Sequence, residues 1–179
     1  VIVMTQATRK IPVQYAKRMV GRKQYGGQST HIPLRVNTAG VIPIIFASSI
    51  MVLPTTIAGF FPPESAVAAA GQWFTRTSWL FNALYGLIIV FFTYFYTAVV
   101  LNPNDLAENM RKYGGFIPGI RPGRKTAEYI DRVLSRITFP GAVFLALIAV
   151  LPDILLGYFN VPALAFGGTS VLIVVGVAL

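Results

Sequence analysis

Thr38–Phe61 and Trp79–Leu101 carry no ionised side chain, and Ile137–Phe159 carries only Asp153. Each run exceeds the ~20 residues that a helix needs to cross a hydrocarbon core of roughly 30 Å. A fourth apolar run, Val161–Leu179, continues to the last residue. An unpaired backbone amide costs several kcal/mol in lipid, so runs this long and apolar can span only as helices. Composition agrees: 55% of residues are hydrophobic and 12% charged, about half the charged share of a soluble domain. An all-α polytopic membrane protein is expected.

The charges between the runs fix an expected topology. Arg9, Lys10, Lys17, Arg18, Arg22, Lys23 and Arg35 precede the first run, and no acid occurs before Glu64. Arg111, Lys112, Arg121, Arg124, Lys125, Arg132 and Arg136 lie between the second and third runs. The stretch Pro62–Ser78 holds only Glu64 and Arg76, and the link around Asn160 holds no charge. Under the positive-inside rule the two basic segments are cytoplasmic and the two poor ones face outward. The expected division is a cytoplasmic basic hairpin loop at 1–37, a span at 38–61, an external loop at 62–78 and a span at 79–101. A cytoplasmic basic loop at 102–136, a span at 137–159, an external link at 160–166 and the start of a further span at 167–179 follow. Val1-Ile-Val-Met4 resembles the tail of an earlier span, so the chain reads as a piece of a larger polytopic protein.

Chemistry is sparse. There is no cysteine, so no disulfide framework or thiolate metal site is available, and His31 is the one histidine. Without an HExxH-type pair, zinc chemistry has almost no ligands to draw on. No cofactor, metal or catalytic residue is expected.

Both basic loops carry signs of structure. Ile11, Val13 and Tyr15 alternate, as do Ile32, Leu34 and Val36, which predicts a hairpin. Pro12 and Pro33 argue for strands without neighbours on both sides. Such a ribbon is marginal alone in water, so it is expected to rest on a partner or on the second loop. Its tip, Lys17–Gln28, is rich in Arg, Lys, Gly and Gln. In the second loop Asn104 is the expected N-cap of a helix, with Asp105 and Glu108 at its start. Arg111 and Lys112 stand at its end, and Gly114 stops it. Phe116-Ile-Pro-Gly-Ile-Arg-Pro-Gly123 then predicts a compact turn on which Arg121 is the only charge. Ile130, Val133, Leu134 and Ile137 follow helical spacing into the third span.

Several stretches together resemble the SecY family, the channel subunits of the bacterial protein-translocation complex. They are Ile11-Pro-Val-Gln-Tyr-Ala-Lys-Arg18, Gln28-Ser-Thr-His-Ile-Pro-Leu-Arg-Val-Asn37, Ala39-Gly-Val-Ile-Pro43 and Tyr94-Phe-Tyr-Thr97, with Gly115-Phe-Ile-Pro-Gly-Ile-Arg-Pro-Gly123 and Phe166-Gly-Gly-Thr-Ser170. They cover nearly the whole chain in order. The resemblance implies the C-terminal half of a ten-helix channel built from two inverted halves around an hourglass pore, in the bacterial cytoplasmic membrane. It implies SecE and SecG as fellow subunits, and SecA or the ribosome as the source of drive. A translocating polypeptide and its signal sequence would be the cargo, and no enzymatic activity is implied.

Site residues follow from the resemblance. Thr38–Phe61 would be one wall of the lateral gate, with Ser48, Ser49 and Leu53 facing it; the alternative for the serines is back-bonding to their own helix. Ile45 and Ile173 fall on the aliphatic pore ring, which would seal by dewetting. Lys17, Arg18, Arg22, Lys23, Arg111, Lys112, Arg124 and Lys125 would dock SecA or ribosomal RNA, contact with anionic membrane lipid being the plainer reading. The arginine matching Arg121 is a determinant of SecA-driven translocation in the family; an arginine on a stiff turn also loses little freedom on docking. Pro43 and Pro54 are expected to break the bonding of the first span. Asp153 reads as a hydrated end cap and His31 as structural.

Two other functions compete. Broken apolar helices also build the midplane sites of secondary transporters, yet the spans offer only Ser48, Ser49, Thr55, Thr56, Thr93 and Thr97 as candidates. A membrane enzyme would need a nucleophile with a base or a metal cluster, and no span carries histidine or a deep acid pair.

Overall fold

A computed structural model describes residues 2–16, 18–20, 23–25, 29–37, 40, 42–75, 78–159, 170, 173–174 and 178. The expected link at 160–166, most of the run at 167–179, and Lys17 and Arg22 lie outside the described residues. A short helix α1 (Ile2–Gln6) leads into strand β1 (Thr8–Tyr15). Strands β2 (Arg18–Val20), β3 (Lys23–Tyr25) and β4 (Ser29–Arg35) follow. Then come helices α2 (Ile42–Gly59), α3 (Ala66–Trp73), α4 (Trp79–Val100) and α5 (Pro103–Lys112), the two-residue strand β5 (Gly115–Phe116) and helix α6 (Arg124–Phe159).

Among the described residues three helices are long and apolar enough to cross a bilayer: α2, the helix that begins at Trp79, and α6. They pack through matching stripes. On α4, Phe81, Tyr85, Ile89, Thr93 and Thr97 recur every fourth residue and are buried. Ile44, Ala47 and Met51 of α2 and Leu145 and Ala149 of α6 close around the upper part of that stripe. Burying whole aliphatic and aromatic side chains contributes about 1.5–3 kcal/mol each in water. In lipid that drive is absent, and close packing carries the association. Phe46 of α2 stacks on Phe92 of α4, with ring centroids 5.8 Å apart. The Tyr94 hydroxyl donates to the Ser135 carbonyl at 3.2 Å, tying α4 to α6 below the kink-prone Pro140.

Helix α6 has 36 residues, which at 1.5 Å per residue is about 54 Å, well beyond the hydrocarbon thickness. Its first third therefore projects from the bundle. That projecting part is the wall on which the hairpin rests. Ile11, Val13 and Leu34 of the hairpin pack with Met110, Ile117, Ile130, Val133, Leu134 and Ile137 into a second core.

Some local expectations differ. Asn102, not Asn104, caps α5: its side chain accepts from the Asn104 N–H at 3.1 Å. Pro103 then takes the first helical position, where its missing N–H is no loss. Pro43 breaks nothing, because it is the second residue of α2 and has no intrahelical bond to remove; Pro54 alone lies inside that helix. Strand β1 has neighbours on both sides, in the order β4-β1-β5. The prolines still fit, since β5 pairs only with Gln14 and Tyr15, beyond Pro12, and β4 is an edge. The stretch 62–78 is not a plain loop: it holds α3, capped by Ser65, whose hydroxyl accepts from the Ala68 N–H at 3.2 Å. Asp153 is not a hydrated cap. It is 9% exposed, with six further residues of α6 beyond it.

Candidate functional site

Strand alternation sends Ile11, Val13 and Leu34 into the core and leaves the other face of the sheet outward. The register pairs Thr8 with Arg35, Lys10 with Pro33 and Pro12 with His31, and all six side chains are exposed. His31 is therefore a surface residue of the sheet. Strands β2 and β3 form a separate two-stranded sheet that pairs Arg18 with Tyr25 and Val20 with Lys23. The expected tip is thus strand-paired at Arg18 and Lys23.

The two basic segments join through β5. Gln14 pairs with Phe116 and Tyr15 with Gly115, and the Ala16 N–H donates to the Gly114 carbonyl at 3.4 Å. Space decides the residue at 115. A Cβ there would stand 3.1 Å from Tyr15 Cε1 and 3.3 Å from Val13 Cγ1, tighter than ordinary van der Waals contact. The hairpin, α5 and the start of α6 thus form one folded body.

The Arg121 turn hangs from that body. Gly119 and Gly123 have φ of 83° and 112°, backbone that a Cβ would strain. Ile117, buried in the sheet core, accepts from the Ile120 N–H at 3.1 Å. Thr126, 2% exposed, donates its hydroxyl to the Arg121 carbonyl at 2.9 Å. The backbone of Arg121 is held from both sides while its side chain is exposed.

Lys112 pairs with Glu108 at 3.1 Å and Arg124 with Glu128 at 3.4 Å, both one helical turn apart and solvated. Such pairs are worth a few tenths of a kcal/mol. Among the described residues no ion pair engages Arg111, Arg121 or Lys125. The exposed cations Arg111, Lys112, Arg121, Arg124 and Lys125 thus stand on the same body that carries the hairpin.

The residues expected at the gate and pore lie outside this basic body. Ile45 and Leu53 are 44% and 58% exposed. With Ser49 they follow at four-residue intervals along the face of α2 that turns away from α4. Ser48 and Ser49 both donate to the Ile45 carbonyl at 2.9 Å, the back-bonded arrangement. Ile173 is helical and 37% exposed.

Three features were missed by reading residues in order. Strand β5 is too short to show alternation. Gly141 lies in a run of apolar residues that gives no hint of what approaches it. The cavity around Asp153 needs two helices to exist.

The chain matches the SecY family over residues 1–179. It is 55% identical over 181 residues to the protein translocase subunit SecY of Halalkalibacterium halodurans, covering all of this chain and 42% of that relative. The subunit of Streptomyces coelicolor is 53% identical over 188 residues, again with 42% of the relative covered. That of Corynebacterium glutamicum is 50% identical over 191 residues, with 43% covered. The chain thus spans less than half the length of the curated relatives it matches. A match along every residue, on three helices fit to cross a bilayer, has one reading: this chain belongs to the SecY family of multi-pass membrane proteins.

Proposed function

We propose that this chain is the C-terminal half of the pore-forming subunit of a protein-conducting channel in the bacterial cytoplasmic membrane. In this reading it belongs to a ten-helix protein of two inverted halves, assembled with SecE and SecG. Unfolded secretory chains cross through it, and membrane segments leave it sideways past α2. It catalyses no reaction; SecA or the ribosome supplies the drive. The hairpin and the α5–α6 region face the cytoplasm, and α3 faces outward.

The observation that carries this is the joining of both basic segments through β1 and β5. A small-solute transporter has no need of a folded basic body that projects beyond the membrane, whereas a large anionic partner does. Arg121, on a turn fixed by Thr126, loses little conformational freedom when such a partner docks. Arg111, Lys112, Arg124 and Lys125 add exposed charge on the same folded body, and Lys17, Arg18, Arg22 and Lys23 are carried with them as docking residues on the strength of the sequence. The exposed stripe Ile45, Ser49 and Leu53 supports a role for α2 as a wall of the lateral gate, with Ser48 beside it.

Channel and transporter separate on the seal. If Ile45 and Ile173 line a dewetted ring, Asn at both positions in the full-length complex lets water persist in the closed pore. Ion conductance without substrate then rises above wild type, while the same change at the exposed, non-ring Leu147 does not. Wild-type conductance at all three positions overturns the ring.

A further inference from the structure

At the end of the bundle away from the sheet, α4 and α6 part around a cavity of about 470 Å³. Its lining includes Trp79 and Asn82 of α4 and Val150, Asp153, Ile154 and Tyr158 of α6. That volume lies within the roughly 300–1,000 Å³ typical of small-molecule sites. Asp153 and Asn82 are 9% and 8% exposed, so a carboxylate and an amide are sunk into otherwise apolar walls. An acid within a membrane helix is expensive and marks a functional site by default. At the rim, Trp79 and Tyr158 are 78% and 84% exposed, two residue types that settle at the headgroup level.

These features select one chemistry. A carboxylate supplies counter-charge, aromatic faces attract cations, and Val150 and Ile154 suit the first methylenes of a lipid's acyl chains. Carboxylate and amide oxygens accept hydrogen bonds, which a primary ammonium can donate and a choline cannot. We propose that this cavity holds the ammonium headgroup of an outer-leaflet phosphatidylethanolamine, with Asp153 as counter-charge and Trp79 and Tyr158 closing over it. The site requires that α4 and α6 span the membrane, and its choice of the outer leaflet rests on the topology proposed above; it does not depend on the channel reading.

The test uses the full-length protein reconstituted in equal parts of phosphatidylethanolamine, phosphatidylcholine and phosphatidylglycerol, then extracted in mild detergent. Native mass spectrometry reads the retained lipid. Phosphatidylethanolamine is expected to be enriched over both others. Asp153→Asn should cut that enrichment roughly tenfold, the low end for one lost hydrogen bond to a charged group. Trp79→Leu, at an exposed position that carries little folding energy, should lower it too, and Glu64→Gln should leave it unchanged. Equal retention of all three lipids by wild type overturns the site, and equal retention of phosphatidylcholine overturns the choice of a primary ammonium. Enrichment that survives Trp79→Leu, with Asp153→Asn either unchanged or failing to accumulate, overturns it as well.

Discussion

The carbonyl oxygen of Val36 occupies the space that a side chain on Gly141 would need: a Cβ there would lie 2.7 Å away. Val36 also donates its N–H to the Ala7 carbonyl at 2.9 Å, so it closes the hairpin at its membrane end. Gly141 lies in α6 just past the projecting third. The pair is therefore where the sheet body meets the bundle, six residues before α2 begins at Ile42.

That contact sets the sign of one substitution. In an open helix interior Gly→Ala gains roughly 0.5–1 kcal/mol. At position 141 the added methyl meets a backbone oxygen, and overpacking of this kind costs about 1–3 kcal/mol. Gly141→Ala in the full-length protein should lower the unfolding temperature and speed hydrogen exchange at the Val36 amide. Unchanged or raised stability would mean that the hairpin is not seated on α6.

A second substitution tests the joint between the basic segments. Gly115→Val adds bulk against Tyr15 and Val13 and should separate β5 from β1. Both spans beside it would remain, because neither α4 nor α6 depends on β5. Trypsin should then cut faster at Arg9 and Lys10 in the intact protein, with insertion unchanged. A wild-type cleavage pattern would show that β5 is not what holds the hairpin.

Topology follows from the same body. Cysteines placed singly at the exposed positions Gln14 and Lys125 should react with a membrane-impermeant reagent from one side, and one at Gln72 in α3 only from the other. Gln72 is preferred to Ser65, whose hydroxyl caps α3. Labelling of Gln14 and Lys125 from opposite sides contradicts both the spans and the sheet.

What could be read from residues in order, and what could not, divides along the range of the forces involved. The apolar runs, the alternation at Ile11 and Val13 and the stiff turn around Arg121 are local, and they are visible in the chain. Asn102 and Asn104 flank Pro103 symmetrically, and only the preference of proline for the first helical position separates them. Tyr15 meeting Gly115, Val36 meeting Gly141 and Asn82 sharing a cavity with Asp153 are contacts between distant segments, and no residue pattern announces them. Asp153 misled for that reason: its position near a helix end suggested water, while α4 buries it.

Arg121 probes most directly the proposal that the basic platform receives a driving partner. Its side chain is exposed and its turn is held through backbone bonds, so Arg121→Glu should alter folding stability by no more than about 0.5 kcal/mol. Reversing the charge at a docked position repels the partner instead. The measurement is motor-driven secretion by the full-length complex carrying Arg121→Glu, with protein level and thermal stability followed in parallel. Secretion should fall sharply while level and stability match wild type. Normal secretion at a normal protein level would contradict the docking role and leave Arg121 a solvated charge at the headgroups.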